Sequence, residues 1–168
     1  MRDNVDIIIM SKPLAQSRPR FTKDGRVYSN ATPALKSYKK AIISKAAGHA
    51  LPDGPLGVIA VFGMPIKDQR RHFMISACRP DIDNLIKPCL DSMQPCKAAK
   101  GQAMPISDDG AIGVMLQFKI YVPADKGFAR LIIANVSSIS DAADLIREAL
   151  HVDGVIGKLE QLSKSNSK

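Results

Sequence analysis

Tryptophan is absent from this chain, and aromatic residues make up only 5% of it. Because 45% of the residues are nevertheless hydrophobic, the interior must be aliphatic and filled with methionine rather than stacked rings. Cysteine is scarce as well. Cys78, Cys89 and Cys96 are odd in number and lack C-x-x-C spacing, which argues against a disulfide framework or a zinc site and reads as reduced thiols of a cytoplasmic protein. Long apolar runs are missing, which excludes a membrane-spanning helix. The opening "MRDNVDIIIMSKP" has too short an apolar stretch, interrupted by acids, for a secretory signal. A length of 168 residues suits one domain with a short appended segment.

Acidic residues are also in short supply, with 16 Asp and Glu against 24 Lys and Arg, a net charge of +8. Such a balance points to a polyanionic partner. The distribution is uneven. Lys12, Arg18, Arg20, Lys23, Arg26, Lys36, Lys39 and Lys40 lie between residues 11 and 40 against the single acid Asp24. Lys67, Arg70, Arg71 and Arg79 form a second basic group directly before a set of carboxylates. Two basic clusters that bracket an acidic one are more than a solubility device.

The chain reads as β-α-β-α-β-β-α. "VDIIIM" at 5–10 predicts a buried strand, and the polar segment after it a long loop, with a hairpin tip at Asp24-Gly25. Thr32-Pro33 starts a helix, Thr as N-cap and Pro in the first turn, with Leu35, Tyr38, Ile42 and Ala46 on its apolar face. A strand follows at about 56–64, then an arginine-bearing connection and a helix from about Asp83. "PCKAAKGQAMPIS" reads as flexible, Asp108-Asp109 open a third strand, and "FARLIIANV" after the "ADKG" turn predicts its antiparallel hairpin partner. "DAADLIREAL" gives a last amphipathic helix, with Ala143, Leu145, Ile146 and Leu150 apolar, before a polar tail expected to be disordered. The fold class is α+β: a small mixed sheet with packed helices, one domain over 1–138 and a helical extension with its tail over 139–168.

"CRPDIDNLIKPCLDSM" at 78–93 carries the chemistry. If Asp83 caps the helix, Lys87 and Asp91 follow it at four-residue steps along one face, and Asp81 precedes it in extended chain. Two close carboxylates repel unless a cation neutralises them, which suits Mg²⁺ with its oxygen ligands. A third acid must come from elsewhere, and Asp108-Asp109 is the best placed. A plain reading competes: Asp at an N-cap is common and contributes about 1 kcal/mol, and Asp before Gly suits a turn. What favours the metal is the conjunction of separated acids with basic segments, since DNA-cutting sites need both kinds of side chain.

"RPDIDNLIKPCLDSM", followed by "SDDGAI" and preceded by "SRPRFTKDGRVYS", resembles the RusA family of Holliday-junction resolvases. The resemblance rests on D-x-D-N-L-x-K, an Asp four residues beyond the Lys, and a later Asp-Asp pair, and runs from Val5 to about Val136. It implies a small homodimeric endonuclease that resolves four-way DNA by paired symmetric nicks, with Mg²⁺ as cofactor and Mn²⁺ as a substitute. By the same resemblance Asp81, Asp83 and Asp109 are metal-binding catalytic carboxylates and Lys87 the essential lysine. Arg18, Arg20, Lys23, Arg70 and Arg71 are the DNA-binding candidates from position and charge. The chain departs from the family at Pro88, which follows the lysine, and in a long 92–107 connection.

A module that binds branched DNA without cutting it fits the same charge pattern, its acids serving as caps and turns. Metal dependence separates the two. An aspartyl-nucleophile phosphatase needs its acids at the end of a buried strand, which "ISACRP" does not provide. A sugar-nucleotide transferase needs a nucleotide-binding architecture longer than this chain.

Overall fold

A computed structural model describes residues 4–16, 20–21, 24–25, 27–28 and 32–150. Its centre is a four-stranded mixed sheet in the order β1-β6-β4-β5, built from β1 (Asn4–Ile9), β4 (Leu56–Ile66), β5 (Ile112–Pro123) and β6 (Phe128–Asn135). β4 pairs parallel with β5 and antiparallel with β6, and β6 pairs antiparallel with β1. The α+β mixed-sheet expectation is borne out.

β4 is central because it is apolar on both faces: its first nine residues are all buried. Val58, Ala60, Phe62 and Met64 enter the main core beneath the helices α1 (Pro33–Ala46) and α2 (Ile82–Met93). Ile59 faces the opposite side, where the helix α3 (Ile139–Leu150) covers the sheet with Leu145 and Ala149. A Cβ on Gly57 would lie 2.8 Å from a Leu145 methyl, so glycine lets α3 approach the sheet this closely. The buried residues of α3 are Ala142, Leu145 and Ala149, while Ala143 and Ile146 stay partly exposed, one step round the helix from the expected stripe.

β1 alternates rather than being wholly buried: Val5, Ile7 and Ile9 point into the core, and Asp6 on the other face binds Arg130 of β6 at 2.8 Å. The expected hairpin is present as β2 (Arg20–Phe21) and β3 (Val27–Tyr28), antiparallel around Asp24-Gly25, with Gly25 at φ +75. α1 starts as expected, the Thr32 hydroxyl accepting from the Leu35 N–H at 3.2 Å, and its four expected core residues are all buried.

Three further expectations are corrected. β5 and β6 do not form a hairpin; they flank β4 on opposite sides. A strand buried on both faces gains most from a partner along each edge, and the 124–127 connection crosses over Pro65 of β4 to reach the far one. Gly127 allows the crossing, since a Cβ there would sit 2.8 Å from the Lys12 Cα and 2.9 Å from the Pro65 ring. Second, the 94–107 connection is not loose. Ala99, Met104 and Ile106 are buried in the main core, and the Ile106 N–H bonds to the Met93 carbonyl at 3.2 Å. Third, α2 begins at Ile82 with Asp81 as its N-cap, two residues earlier than expected. The expected disordered tail lies outside the described residues.

Candidate active site

The start of α2 is set by what holds the chain in front of it. The connection from β4 returns along the outer edge of β5, where the Phe73 N–H bonds to the Tyr121 carbonyl and the Ser76 N–H to the Lys119 carbonyl. The Lys119 ammonium then donates to the carbonyls of Cys78 at 2.6 Å and Pro80 at 2.9 Å. Extended chain therefore ends at Pro80, and Asp81, with φ −65 and ψ 147, is left in the N-cap position. Its side chain makes no capping hydrogen bond. That leaves the Asp81 carboxylate unspent on the helix.

Asp81 and Asp83 line one cleft of about 350 Å³, closed on the sheet side by Gln117, Phe118 and Lys119 of β5. Both acids are exposed at its mouth. The Gln117 Oε1 is buried without a hydrogen-bond partner. All of the site's candidate donors are oxygen, the donor set of a hard cation, and magnesium commonly takes one or two carboxylates with substrate phosphate completing its shell. Among the described residues, no group of three or more His, Cys, Asp or Glu side chains is placed to hold a metal. The two carboxylates and the orphaned amide oxygen are donors of the kind a hard divalent cation takes.

The other expected site residues are placed as follows. Lys87 is exposed on α2, one turn beyond Asp83. Asp91 forms an ion pair with Lys39 of α1 at 3.1 Å and stands away from the cleft. Asp108 is spent on its turn, accepting from the Gly110 N–H at 2.7 Å, whereas Asp109 is exposed at the head of β5. Asp109 does not line the cleft: from Ile112 to Phe118 the strand spans on the order of 20 Å.

Of the basic candidates, Arg18 and Lys23 lie outside the described residues, as does the side chain of Arg20 in β2. Arg70 projects into solvent, its side chain 91% exposed, and pairs with Asp68 at 3.1 Å, which holds the Asp68 carboxyl below its ordinary range. Arg71 stacks over the Tyr121 ring at 4.3 Å and donates to its hydroxyl. Phe73, Met74 and Ile75 follow as exposed apolar residues along the same edge.

Pro88 does not interrupt α2. Having no N–H, it leaves the carbonyl of Asn84 without its helical donor. That carbonyl accepts instead from the Gln16 N–H at 2.8 Å, the last described residue before the basic hairpin. The departure from the family pattern thus ties the basic loop to the first turn of the acid-bearing helix.

Sequence reasoning missed Lys119, Gln117 and Gln16. The first two carried a signal: polar residues at i and i+2 in the otherwise apolar run "MLQFKIYV" share one face of a strand. Gln16 carried none, because its role depends on a proline far along the chain.

Among the described residues no helix is long and apolar enough to cross a membrane. No individual curated protein matches the chain. A family model, endodeoxyribonuclease RusA, matches residues 11–123, which include the basic hairpin, both carboxylates of the cleft, Lys87, Asp109 and the β5 lysine. With that match covering well over half of its length, the chain belongs to the RusA family of endodeoxyribonucleases, the nucleases that resolve Holliday junctions.

Proposed function

We propose that this protein is a divalent-metal-dependent, structure-selective endonuclease that resolves four-way DNA by paired symmetric nicks. The observation that carries the reading is the pair Asp81 and Asp83 in one cleft, with the Asp81 side chain free of capping duty, beside an arginine-bearing edge. Asp81 and Asp83 would hold Mg²⁺, with Mn²⁺ able to replace it. When bound, such an ion polarises the scissile phosphate and lowers the pKa of water at the site. Asp83, exposed at the mouth of the cleft, orients the attacking water. Lys87 offsets charge that builds on the phosphate during hydrolysis. Arg70 and the basic hairpin bind neighbouring phosphates, selecting substrate by the positions of backbone charge rather than by base edges.

A four-way junction has approximate two-fold symmetry, so a homodimer with two equal sites gives two matched cuts. The outer face of β5 and of the 73–76 segment that pairs with it at Lys119 and Tyr121 supports such a dimer, since Met115, Phe73, Met74 and Ile75 there are 43–72% exposed. Asp109, the third carboxylate that the family resemblance implies, does not line this chain's own cleft.

The test incubates the chain with a four-way junction and a linear duplex of the same sequence, in Mg²⁺ and in EDTA, and maps product ends on every strand. Symmetric nicks in the junction alone, only with metal, are expected. Asp81→Asn and Asp83→Asn should each lower cleavage about a hundredfold or more while still shifting the junction in EDTA. Binding without nicks in either Mg²⁺ or Mn²⁺ would identify a silent junction-binding module instead.

A further inference from the structure

Lys119 belongs to β5, yet it organises the segment before α2 at three points spaced two residues apart. Its carbonyl accepts from the Ser76 N–H at 2.8 Å, and its ammonium donates to the carbonyls of Cys78 and Pro80. Asp81 is the next residue. Lys119 is also among the residues that line the cleft into which Asp81 and Asp83 open. A surface lysine keeps its charge in water; this one is partly buried, with two of its three N–H donors committed to main-chain carbonyls.

We propose that Lys119 is a positioning residue of the active site: it fixes the backbone on which Asp81 is carried, so that both carboxylates meet a cation without further ordering. The inference rests on the metal-site reading above and names a residue that reading does not use. Two effects of removing the ammonium oppose each other. A positive charge beside a cation site repels the cation, so its loss alone would tighten metal binding. Loss of the tether frees the 78–81 backbone, which must then be ordered when the metal binds, and so weakens it. The Ser76 bond to the Lys119 carbonyl survives the substitution, but both side-chain bonds to the stretch directly before Asp81 are lost, which makes the second effect the larger.

The experiment titrates full-length protein with Mn²⁺ by calorimetry, for wild type, Lys119→Met, Lys119→Gln and Lys119→Arg, alongside thermal melts and junction binding in EDTA. Lys119→Met should bind Mn²⁺ about ten- to a hundredfold more weakly, the range for a group that orients a metal ligand. Its junction binding in EDTA should be unchanged, and Lys119→Arg, which keeps charge and donors, should recover part of the affinity. The Mg²⁺ concentration for half-maximal cleavage should shift in parallel. Mn²⁺ binding by Lys119→Met as tight as wild type or tighter overturns the proposal, as does an Arg variant as weak as the Met variant. If both neutral variants fail to fold, Lys119 serves folding and the proposal is lost. A wild-type chain that binds Mn²⁺ but cuts no junction sinks the nuclease reading alone, because the titration still decides on Lys119. A wild-type chain that binds no Mn²⁺ sinks both.

Discussion

The fully buried Cys89 thiol of α2 faces the Tyr38 hydroxyl of α1 at 3.7 Å. Burial pushes it from its ordinary 9.0 up to about 12, the contact with Tyr38 only partly opposing that, and burial raises Tyr38 as well. Both groups are neutral when protonated, so the folded state holds protons that the unfolded chain releases. Their stabilising contribution is complete below pH 9 and is lost as pH climbs from 9 toward 12. Urea unfolding should therefore show falling stability above pH 9, with Cys89→Ala flattening part of the slope. At pH 8 a thiol reagent should label the partly exposed Cys78 and Cys96 in the native protein, and Cys89 only after denaturation. The residue scale also separates neighbours that look equivalent in the sequence. Asp108 closes a turn while Asp109 stays exposed, and Arg71 is committed to Tyr121 while Arg70 extends into solvent.

Helix α2 combines elements that local rules place in conflict. Proline in a helix interior costs about 3 kcal/mol or more, from a lost hydrogen bond and a clash with the preceding turn. Here the ring is buried, the Ser92 hydroxyl donates to the Pro88 carbonyl at 2.6 Å, and the freed Asn84 carbonyl takes the Gln16 N–H. Pro88→Ala should keep α2 intact and give residue 88 an N–H that competes for that carbonyl. A backbone hydrogen bond contributes about 1 kcal/mol net, so losing the Gln16 tether should weaken junction binding about fivefold through the basic hairpin. Gel shifts at fixed salt in EDTA would check it. Unchanged affinity would mean that the hairpin is held by other contacts.

At the scale of the whole molecule, β4 organises everything else. Its two buried faces demand a helical layer on each side, and its two edges demand strands, which is why β6 crosses to the far edge instead of folding back on β5. α3 is the second of those layers, and Leu145 at its centre is 2% exposed. Leu145→Ala should cost about 2–5 kcal/mol, read as a drop in the thermal midpoint with loss of α3 protection in hydrogen exchange. A cost under 1 kcal/mol would mean that α3 is a detachable appendage rather than a layer of the core.

The sequence by itself determined the principal strands and helices, the α+β class, the cap of α1, the hairpin tip at Asp24-Gly25, and the proximity of Asp81 to Asp83. All of these rest on contacts between residues a few positions apart, where composition and spacing carry the physics. Only the tertiary structure decided that β6 pairs across β4, that α2 starts at Ile82, that Lys119 anchors the segment before Asp81, and that Asp109 does not line the cleft. Each of these depends on partners up to tens of residues distant. Strand order follows from burying both faces of β4 at once, and the helix start from carbonyls that a lysine on another strand had already bound. Local propensity records neither, because it scores a residue against its sequence neighbours and not against the chain that folds back to meet it.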